Sequence, residues 1–251
     1  MTSLITKKEF KNYLIDFISN SKYKELEKLK EVLENTYNET VEYPSKPGKP
    51  SLENISATTE AAFQRAIFNE KETLLDYGKA EKEVVKWLDI ELPVVLNKNS
   101  RRLCLDLIGA LDGVPVICEL KYADKSNSDH PIYGIIELLV YYYYIHCNYE
   151  KLDKYDVHHH LVLNDFKWSV IVKNAFPKLF LVANEKYWNY WFKRENKNEF
   201  LKLVLELCKK LDVNINCFIA KDEDFRSQKG GNEKYTPKLF SKTWIKVKYE
   251  Y

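Results

Sequence analysis

The sequence predicts an α/β domain built on a mixed central β-sheet with helices on its faces. Short apolar runs of strand length lie in the middle of the chain, and amphipathic segments of helical length lie before, between and after them. Because the two kinds of segment are interleaved, we expect them to pack as layers of one domain. The predicted helices are 58–74, 80–89, 131–145, 186–194 and 199–211, and the predicted strands are 93–97, 102–110, 115–122, 161–163, 178–183 and 214–220.

Two further segments precede this domain. Residues 1–42 carry apolar side chains at helical spacing, among them Phe10, Leu14 and Phe17, and predict a helical hairpin. Residues 43–56 contain three prolines, a glycine and few apolar side chains, which is typical of a linker. The α/β domain is therefore expected to occupy residues 57–251.

Composition excludes several classes of protein. The 251 residues include 39 Lys or Arg and 37 Asp or Glu, and the net charge of +2 argues against a histone-like arm. Five cysteines at irregular spacings form neither a C-x-x-C pair nor a disulfide framework, which indicates a reduced, cytoplasmic protein. The longest apolar run, Ile132–Ile145, contains Glu137 and four tyrosines, so no membrane span is expected.

The segment Arg101–Ala123 contains the clearest local signal. Asp112-Gly113 lies between two apolar runs, and this pair favours a two-residue type I′ turn because both positions need positive φ. The register of such a hairpin sets Asp106 directly opposite Glu119. Because side chains alternate across a strand, Lys121 shares a face with both acids, and the other face is apolar throughout.

This register brings two acidic side chains together, with their Cβ atoms roughly 5 Å apart. Like charges at that distance destabilise a sheet, and burial increases the cost. A divalent cation held by Asp106 and Glu119 would offset the repulsion, and Mg²⁺ commonly takes one or two carboxylates with waters and phosphate oxygens. The alternative is a solvated cluster of salt bridges to Lys121. Convergence of three charged residues between apolar neighbours favours the metal site.

The pattern Asp106-(x12)-Glu119-Leu120-Lys121 on two adjacent strands resembles the core motif of the PD-(D/E)XK nuclease superfamily. Members of this family pair a strand Asp with a Glu-x-Lys strand, often with an Arg before the Asp, where Arg102 stands here. The resemblance covers about residues 78–145. It implies a restriction-endonuclease-like αβββαβ core.

The helices on either side extend the resemblance. Family members carry an acidic residue on the preceding helix, where Glu81 is the first candidate and Glu83 the second. RecB-type members carry Gln-x3-Tyr on the following helix, and here Glu137 stands at the Gln position and Tyr141 at the Tyr position. Leu105 stands where the family pattern has Pro.

The resemblance implies Mg²⁺-dependent hydrolysis of nucleic-acid phosphodiester bonds, with DNA as the expected substrate and Mn²⁺ as a substitute metal. Asp106, Glu119 and the backbone carbonyl of Leu120 would bind the metal, which lowers the pKa of a bound water. Lys121 would position or help deprotonate that water. Glu81 would contact the hydration shell of the metal.

Three other side chains, Glu137, Tyr141 and Arg102, are expected to line the site. For Tyr141, simple helix packing is an equal alternative. By analogy with the family, a homodimer is expected. A function of another class also stays open, in which the domain binds nucleic acid or a protein partner without turnover.

The C-terminal segment from Arg226 to Lys248 is basic, with seven Lys or Arg against one acid, Glu233. Lys238, Lys242 and Trp244 are candidates for phosphate contacts and base stacking. The alternative, given equal weight, is a solvated, strand-like chain end.

Overall fold

The computed structural model describes residues 51–53, 59–95, 103–123, 130–155, 167, 169, 177–194, 196–221, 225–226, 236–239 and 241–248. The helical hairpin predicted for 1–42 lies outside the described residues, as does the linker 43–56 except for 51–53. The strand predicted at 161–163 and Arg102 also lie outside them.

The described part of the chain contains four helices and nine strands. The helices are α1 (Glu60–Glu70), α2 (Pro131–Tyr155), α3 (Glu185–Phe192) and α4 (Lys197–Leu211). The strands are β1 (Glu72–Asp76), β2 (Glu83–Val95), β3 (Leu103–Leu111), β4 (Val114–Lys121), β5 (Lys178–Asn184), β6 (Asn214–Ala220), β7 (Phe225–Arg226), β8 (Lys238–Leu239) and β9 (Thr243–Lys246). Of these helices, none combines the length and the apolar character needed to cross a bilayer.

Seven of the strands form a closed barrel in the order β1-β2-β3-β4-β5-β6-β9. The pairs β1–β2, β2–β3 and β3–β4 are antiparallel, whereas β4, β5 and β6 run parallel to one another. Strand β9 pairs parallel with β1 and antiparallel with β6, and so joins the two ends of the sheet. The predicted fold class, an open mixed sheet with a restriction-endonuclease-like αβββαβ core, is therefore wrong.

The error arises from three strands that the sequence pattern did not identify. Strand β1 occupies the end of the helix predicted at 58–74, and β2 replaces the helix predicted at 80–89. In β2, Val85 and Trp87 are buried and Lys86 between them is exposed, which is the two-residue period of a strand. A short apolar run is compatible with the residue spacing of a helix and with that of a strand. Its content of β-branched and aromatic residues is therefore the better indicator of a strand.

Strand β9 was the third omission, because its residues are part of the basic C-terminal segment. Its pairing with β1 and β6 gives the backbone groups of both edge strands partners they would otherwise lack. Trp244 of β9 is fully buried and packs near Trp87, with ring centroids 5.4 Å apart. Closure of the barrel therefore depends on a residue that the charge pattern had indicated as a surface contact.

The buried residues form two cores, one on each face of the sheet. One cluster takes side chains from all seven barrel strands, including Trp87, Leu120, Phe180 and Trp244, and so fills the inside of the barrel. The other cluster lies on the outer face beneath α2, α3 and α4. The strands of the barrel are therefore held in place by apolar packing on both of their faces.

Helix α1 packs against the inner core. It begins at the N-cap Thr59, whose side chain accepts a hydrogen bond from the backbone N–H of Ala62 at 3.2 Å, and it ends at Lys71 in the left-handed conformation. Phe63 and Ile67 on its inward face belong to the inner cluster. The cap and the apolar stripe together fix which residues α1 presents to the strands.

Helix α2 packs closely on the outer face because a glycine lies at the contact. A Cβ on Gly134 would come within 2.5 Å of a methyl carbon of Leu181 in β5. Glu137 and Tyr141, one and two turns later on the helix, are both buried. The absence of a side chain at Gly134 therefore brings these two polar residues down onto the sheet.

The closure of the barrel can be tested with two neighbouring residues of β9. We expect Trp244→Ala to lower the free energy of unfolding by about 3–5 kcal/mol, since it empties part of the inner core. Ile245 is 38% exposed, and Ile245→Ala is expected to cost less than about 1 kcal/mol. Urea denaturation of both variants measures the difference, and equal losses would contradict the inward placement of Trp244.

Candidate functional site

The predicted β3–β4 hairpin is confirmed. Asp112 and Gly113 have φ values of 49° and 78°, as a type I′ turn requires. Ile108 pairs with Ile117 and Leu107 with Cys118, which is the predicted register. Because the turn and the register agree, Asp106 and Glu119 lie on adjacent strands just beyond the last described pair.

Asp106 is held at this end of the hairpin by three hydrogen bonds. Its Oδ2 accepts from the backbone N–H of Leu120 at 2.7 Å, so the side chain continues the ladder between the strands. The Nε2 of Gln64, on α1, donates to the backbone carbonyl of Asp106 at 2.7 Å and to its Oδ1 at 3.3 Å. Asp106 is therefore fixed from both the partner strand and the helix.

Lys121 joins Glu119 to Glu137 on α2. Its ammonium lies 2.5 Å from Oε1 of Glu119 and 2.8 Å from Oε2 of Glu137. All three side chains are more than nine-tenths buried, with exposed fractions of 8%, 5% and 9% respectively. Oε2 of Glu119 is also buried, and no described residue donates a hydrogen bond to it. One carboxylate oxygen of the motif is thus left without a donor.

Helix α1 supplies two residues that sequence reasoning missed. Glu60, exposed in its first turn, accepts a hydrogen bond from the N–H of Tyr122 at 3.1 Å, and Gln64 lies one turn further on, buried against Asp106. A Thr directly before an apolar helical period is a typical N-cap, so the polar residues in the first turn after Thr59 were the available signal in the sequence.

Glu81 and Glu83 do not lie near these residues. Glu81 is exposed in the turn before β2, and Glu83 is the first residue of that strand. Because β2 runs antiparallel to β3, with Val85 opposite Leu111, both acids lie toward the Asp112-Gly113 end of the hairpin. The structure therefore does not bring Glu81 to the site, and the helix predicted to carry it is a strand.

The electrostatic environment shows that the acids are close to each other. Burial raises the pKa of Asp106 well above its ordinary range. The negative charges of Glu119 and Glu60 raise that pKa further, against smaller opposing effects from nearby donors. Burial and both negative charges thus act in favour of the protonated form of the Asp106 carboxyl group.

The same surroundings favour the charged form of Lys121, in contrast to Asp106. Burial alone would lower the pKa of its ammonium, but the charges of Glu119, Glu60 and Asp106 outweigh burial and hold the pKa above the ordinary value. Its hydrogen bond to Glu119 adds to this effect. The side chain is thus a charged donor in metal-free protein, which suits positioning or charge stabilisation better than proton abstraction.

Tyr141 lies within the same electrostatic field. Burial raises the pKa of its phenol, and the charges of Glu119 and Asp106 raise it further. The hydroxyl therefore stays protonated and can donate a hydrogen bond toward the acids. Tyr141 is also only 4% exposed and belongs to the outer core, so it packs as a core residue of α2 while it lies in the electrostatic field of the acids.

Among the described residues, the site holds more carboxylates than ammonium groups. Glu119 and Glu137 both pair with the ammonium of Lys121, the charge of Asp106 acts on that ammonium, and Glu60 adds a fourth carboxylate at the surface. Uncompensated charge is costly to bury, so such a cluster favours uptake of a proton or a cation. Oxygen donors from two carboxylates and the Leu120 carbonyl are the ligand type that Mg²⁺ prefers.

Within the part of the chain that the structure describes, no group of three or more His, Cys, Asp or Glu residues is arranged to hold a metal together. Glu119 and Glu137 are turned toward Lys121, and Asp106 toward the Leu120 N–H. Each of these three carboxylates therefore contacts a donor of the protein itself.

The three candidate nucleic-acid contacts of the C-terminal segment lie in different environments in the structure. Trp244 is fully buried inside the barrel, so it offers no face for a base to stack on. Lys242 is exposed and forms a salt bridge with Glu70 at 2.8 Å. Lys238 lies in β8, paired with β7 outside the barrel. The structure therefore assigns Trp244 to the core and leaves Lys238 and Lys242 as predictions.

Comparisons with known proteins give no relative for this chain: no family model, no curated protein and no solved structure matches it.

The raised pKa of Asp106 predicts a dependence of stability on pH. A group whose pKa is higher in the folded state binds its proton more tightly there, so its contribution to stability falls as pH rises from about 4 through the folded pKa. We expect metal-free wild-type protein to lose stability across this range relative to Asp106→Asn, which keeps an acceptor for the Leu120 N–H. Urea denaturation at a series of pH values measures both. Parallel curves for the two proteins would contradict the raised pKa.

Proposed function

We propose that this chain is a Mg²⁺-dependent nuclease that hydrolyses phosphodiester bonds in DNA, with Mn²⁺ able to replace Mg²⁺, through a site of the PD-(D/E)XK type carried on a closed barrel. The single observation that supports it best is the convergence of Asp106, Glu119 and Lys121 in one buried, negatively charged cluster. The cluster contains the residues of the motif, and its net negative charge favours binding of a cation.

The cation would be held by Asp106, Glu119 and the Leu120 carbonyl. When bound, Mg²⁺ lowers the pKa of a coordinated water and shields negative charge on the phosphate. The hydrogen bonds that Asp106 receives from Leu120 and Gln64 orient its carboxylate before any ligand arrives. Pre-orientation of this kind reduces the cost of assembling the site.

Lys121 would act as a donor to the scissile phosphate or to the attacking water. Its ammonium is already directed between β4 and α2 by Glu119 and Glu137, so its position depends on both. Donation to a phosphate oxygen in a buried setting is stronger than in water and favours the charge that develops in the transition state. Glu137 is then a positioning residue for Lys121.

In the hydrolysis itself, a water oxygen attacks phosphorus and gives up a proton to solvent, the bond between phosphorus and the leaving oxygen breaks, and the leaving oxygen takes up a proton from solvent. Lys121 stabilises the charge on the phosphate in this step. Tyr141, whose phenol stays protonated, would supply a neutral donor beside the charged donor Lys121. Glu60 would stand at the entrance, where it is exposed and its negative charge raises the pKa of Asp106.

A second candidate function is a module that binds nucleic acid or a protein partner without turnover. The pairing of Lys121 with both Glu119 and Glu137 favours this alternative, because these ion pairs neutralise part of the charge that would attract a metal. The two functions differ in whether bound nucleic acid is cut, and a homodimer is compatible with either.

We expect purified wild-type protein with Mg²⁺ or Mn²⁺ to cleave DNA, and EDTA to abolish cleavage. Asp106→Asn and Lys121→Met are each expected to reduce the rate by about 10² or more, because each removes a group that acts on developing charge. Gel assays with linear, circular, single-stranded and branched DNA, and with RNA, measure the rate and the preferred substrate.

Glu81→Gln provides the matched control, since it also removes one acid but lies exposed toward the turn end of the hairpin. It is expected to cleave at the wild-type rate. Lys121→Arg, which keeps the charge, and thermal unfolding of every variant separate lost chemistry from lost folding. If wild-type protein binds DNA but cuts none of the substrates, the binding module is the correct function.

A further inference from the structure

A cavity of about 360 Å³ lies beneath α4 on the outer face of the sheet. It is bounded by α4, by the first residues of β6 and by the residues that end β9 and follow it. Strand β5 lies between β6, which lines the cavity, and β4, which carries Glu119 and Lys121. The cavity is therefore separate from the acidic cluster.

The walls of this cavity are largely apolar. Leu201, Val204 and Leu205 line it from α4, and Ile215 and Val247 line it from the sheet. Leu205 is 47% exposed, so the apolar lining reaches the surface of the protein at α4. Ligand pockets of this character are typically lined by apolar side chains with a few polar groups, and their volumes begin at about 300 Å³.

Positive charge is concentrated at the rim. Lys246 and Lys248 both line the cavity, and among the described residues neither forms a salt bridge with a carboxylate. The Nζ of Lys246 lies 5.2 Å from the centroid of the Tyr77 ring. Burial lowers the pKa of Lys246, and the nearby charges of Lys248 and Lys79 lower it further, against opposing effects from two thiols. An anion at this rim would relieve the repulsion.

We propose that this cavity binds a small amphipathic anion, namely an aliphatic carboxylate whose chain packs against α4 and whose carboxylate pairs with Lys246 and Lys248. The lining combines apolar side chains with two lysines, and these match the two ends of such a molecule. Asn216, also in the lining, adds an amide near the start of β6. This binding is independent of the nuclease site.

The test uses decanoate at concentrations below micelle formation, with 1-decanol as the neutral probe of equal chain length. We expect saturable binding of decanoate to the full chain by titration calorimetry, about tenfold tighter than binding of decanol, since a charge-assisted pair is added. Hexanoate should bind more weakly than decanoate, because it buries less apolar surface.

Three variants define the site. Lys246→Met should remove the preference for decanoate over decanol. Leu205→Trp should weaken the binding of both probes by about tenfold, because the larger side chain fills the mouth of the cavity. Lys202→Met is the matched control, since Lys202 is exposed on α4 but does not line the cavity. It should bind both probes as the wild type does.

Absence of saturable decanoate binding to wild-type protein would overturn the proposal. Equal affinity for decanoate and decanol, or unchanged binding in both Lys246→Met and Leu205→Trp, would overturn it as well. Thermal unfolding confirms that each variant is folded, and cleavage of DNA should be the same in all of them, because none changes the acidic cluster.

Discussion

An excess of negative over positive charge among the described residues at the end of the β3–β4 hairpin is the constraint on which the candidate site depends. Glu119 and Glu137 share the ammonium of Lys121, and the charge of Asp106 raises the pKa of that ammonium. Because moving such charge out of water costs several kcal/mol per unpaired ion, we expect this cluster to take up a proton or a cation. Burial and the neighbouring negative charges raise the pKa of Asp106, so this carboxyl group favours the proton, and in the proposed function a divalent cation would displace it.

The barrel imposes this arrangement because it buries the sheet on both faces. The inner core, completed by β9, fixes the strands, and α1 delivers Gln64 to the backbone of Asp106. On the outer face, the close approach of α2 at Gly134 brings Glu137 to Lys121. The packing of α1 and α2 on the sheet thus determines which polar side chains meet at the site. The acids among them set the charge that a ligand must balance.

The sequence predicted the part of the site that depends on local rules. Asp112-Gly113 specifies its own turn, and the alternation of side chains then places Asp106, Glu119 and Lys121 without knowledge of the rest of the fold. Glu60 and Gln64 could not be found in this way, since their position depends on how α1 packs across the barrel. Strand β9 was obscured by its lysines, because a strand with one face inside a barrel and the other in water is only half apolar.

Direct measurement of metal binding tests the charge constraint most closely. We expect Mn²⁺, followed by electron paramagnetic resonance of the free ion at neutral pH, to bind one site on the wild-type chain and to release protons as it binds. Asp106→Asn should bind at least about tenfold more weakly, as expected when a ligand or its support is lost, and Glu81→Gln should bind as the wild type does. Equal Mn²⁺ binding by wild type and Asp106→Asn, or no saturable binding by either, would contradict a cation at the acidic cluster.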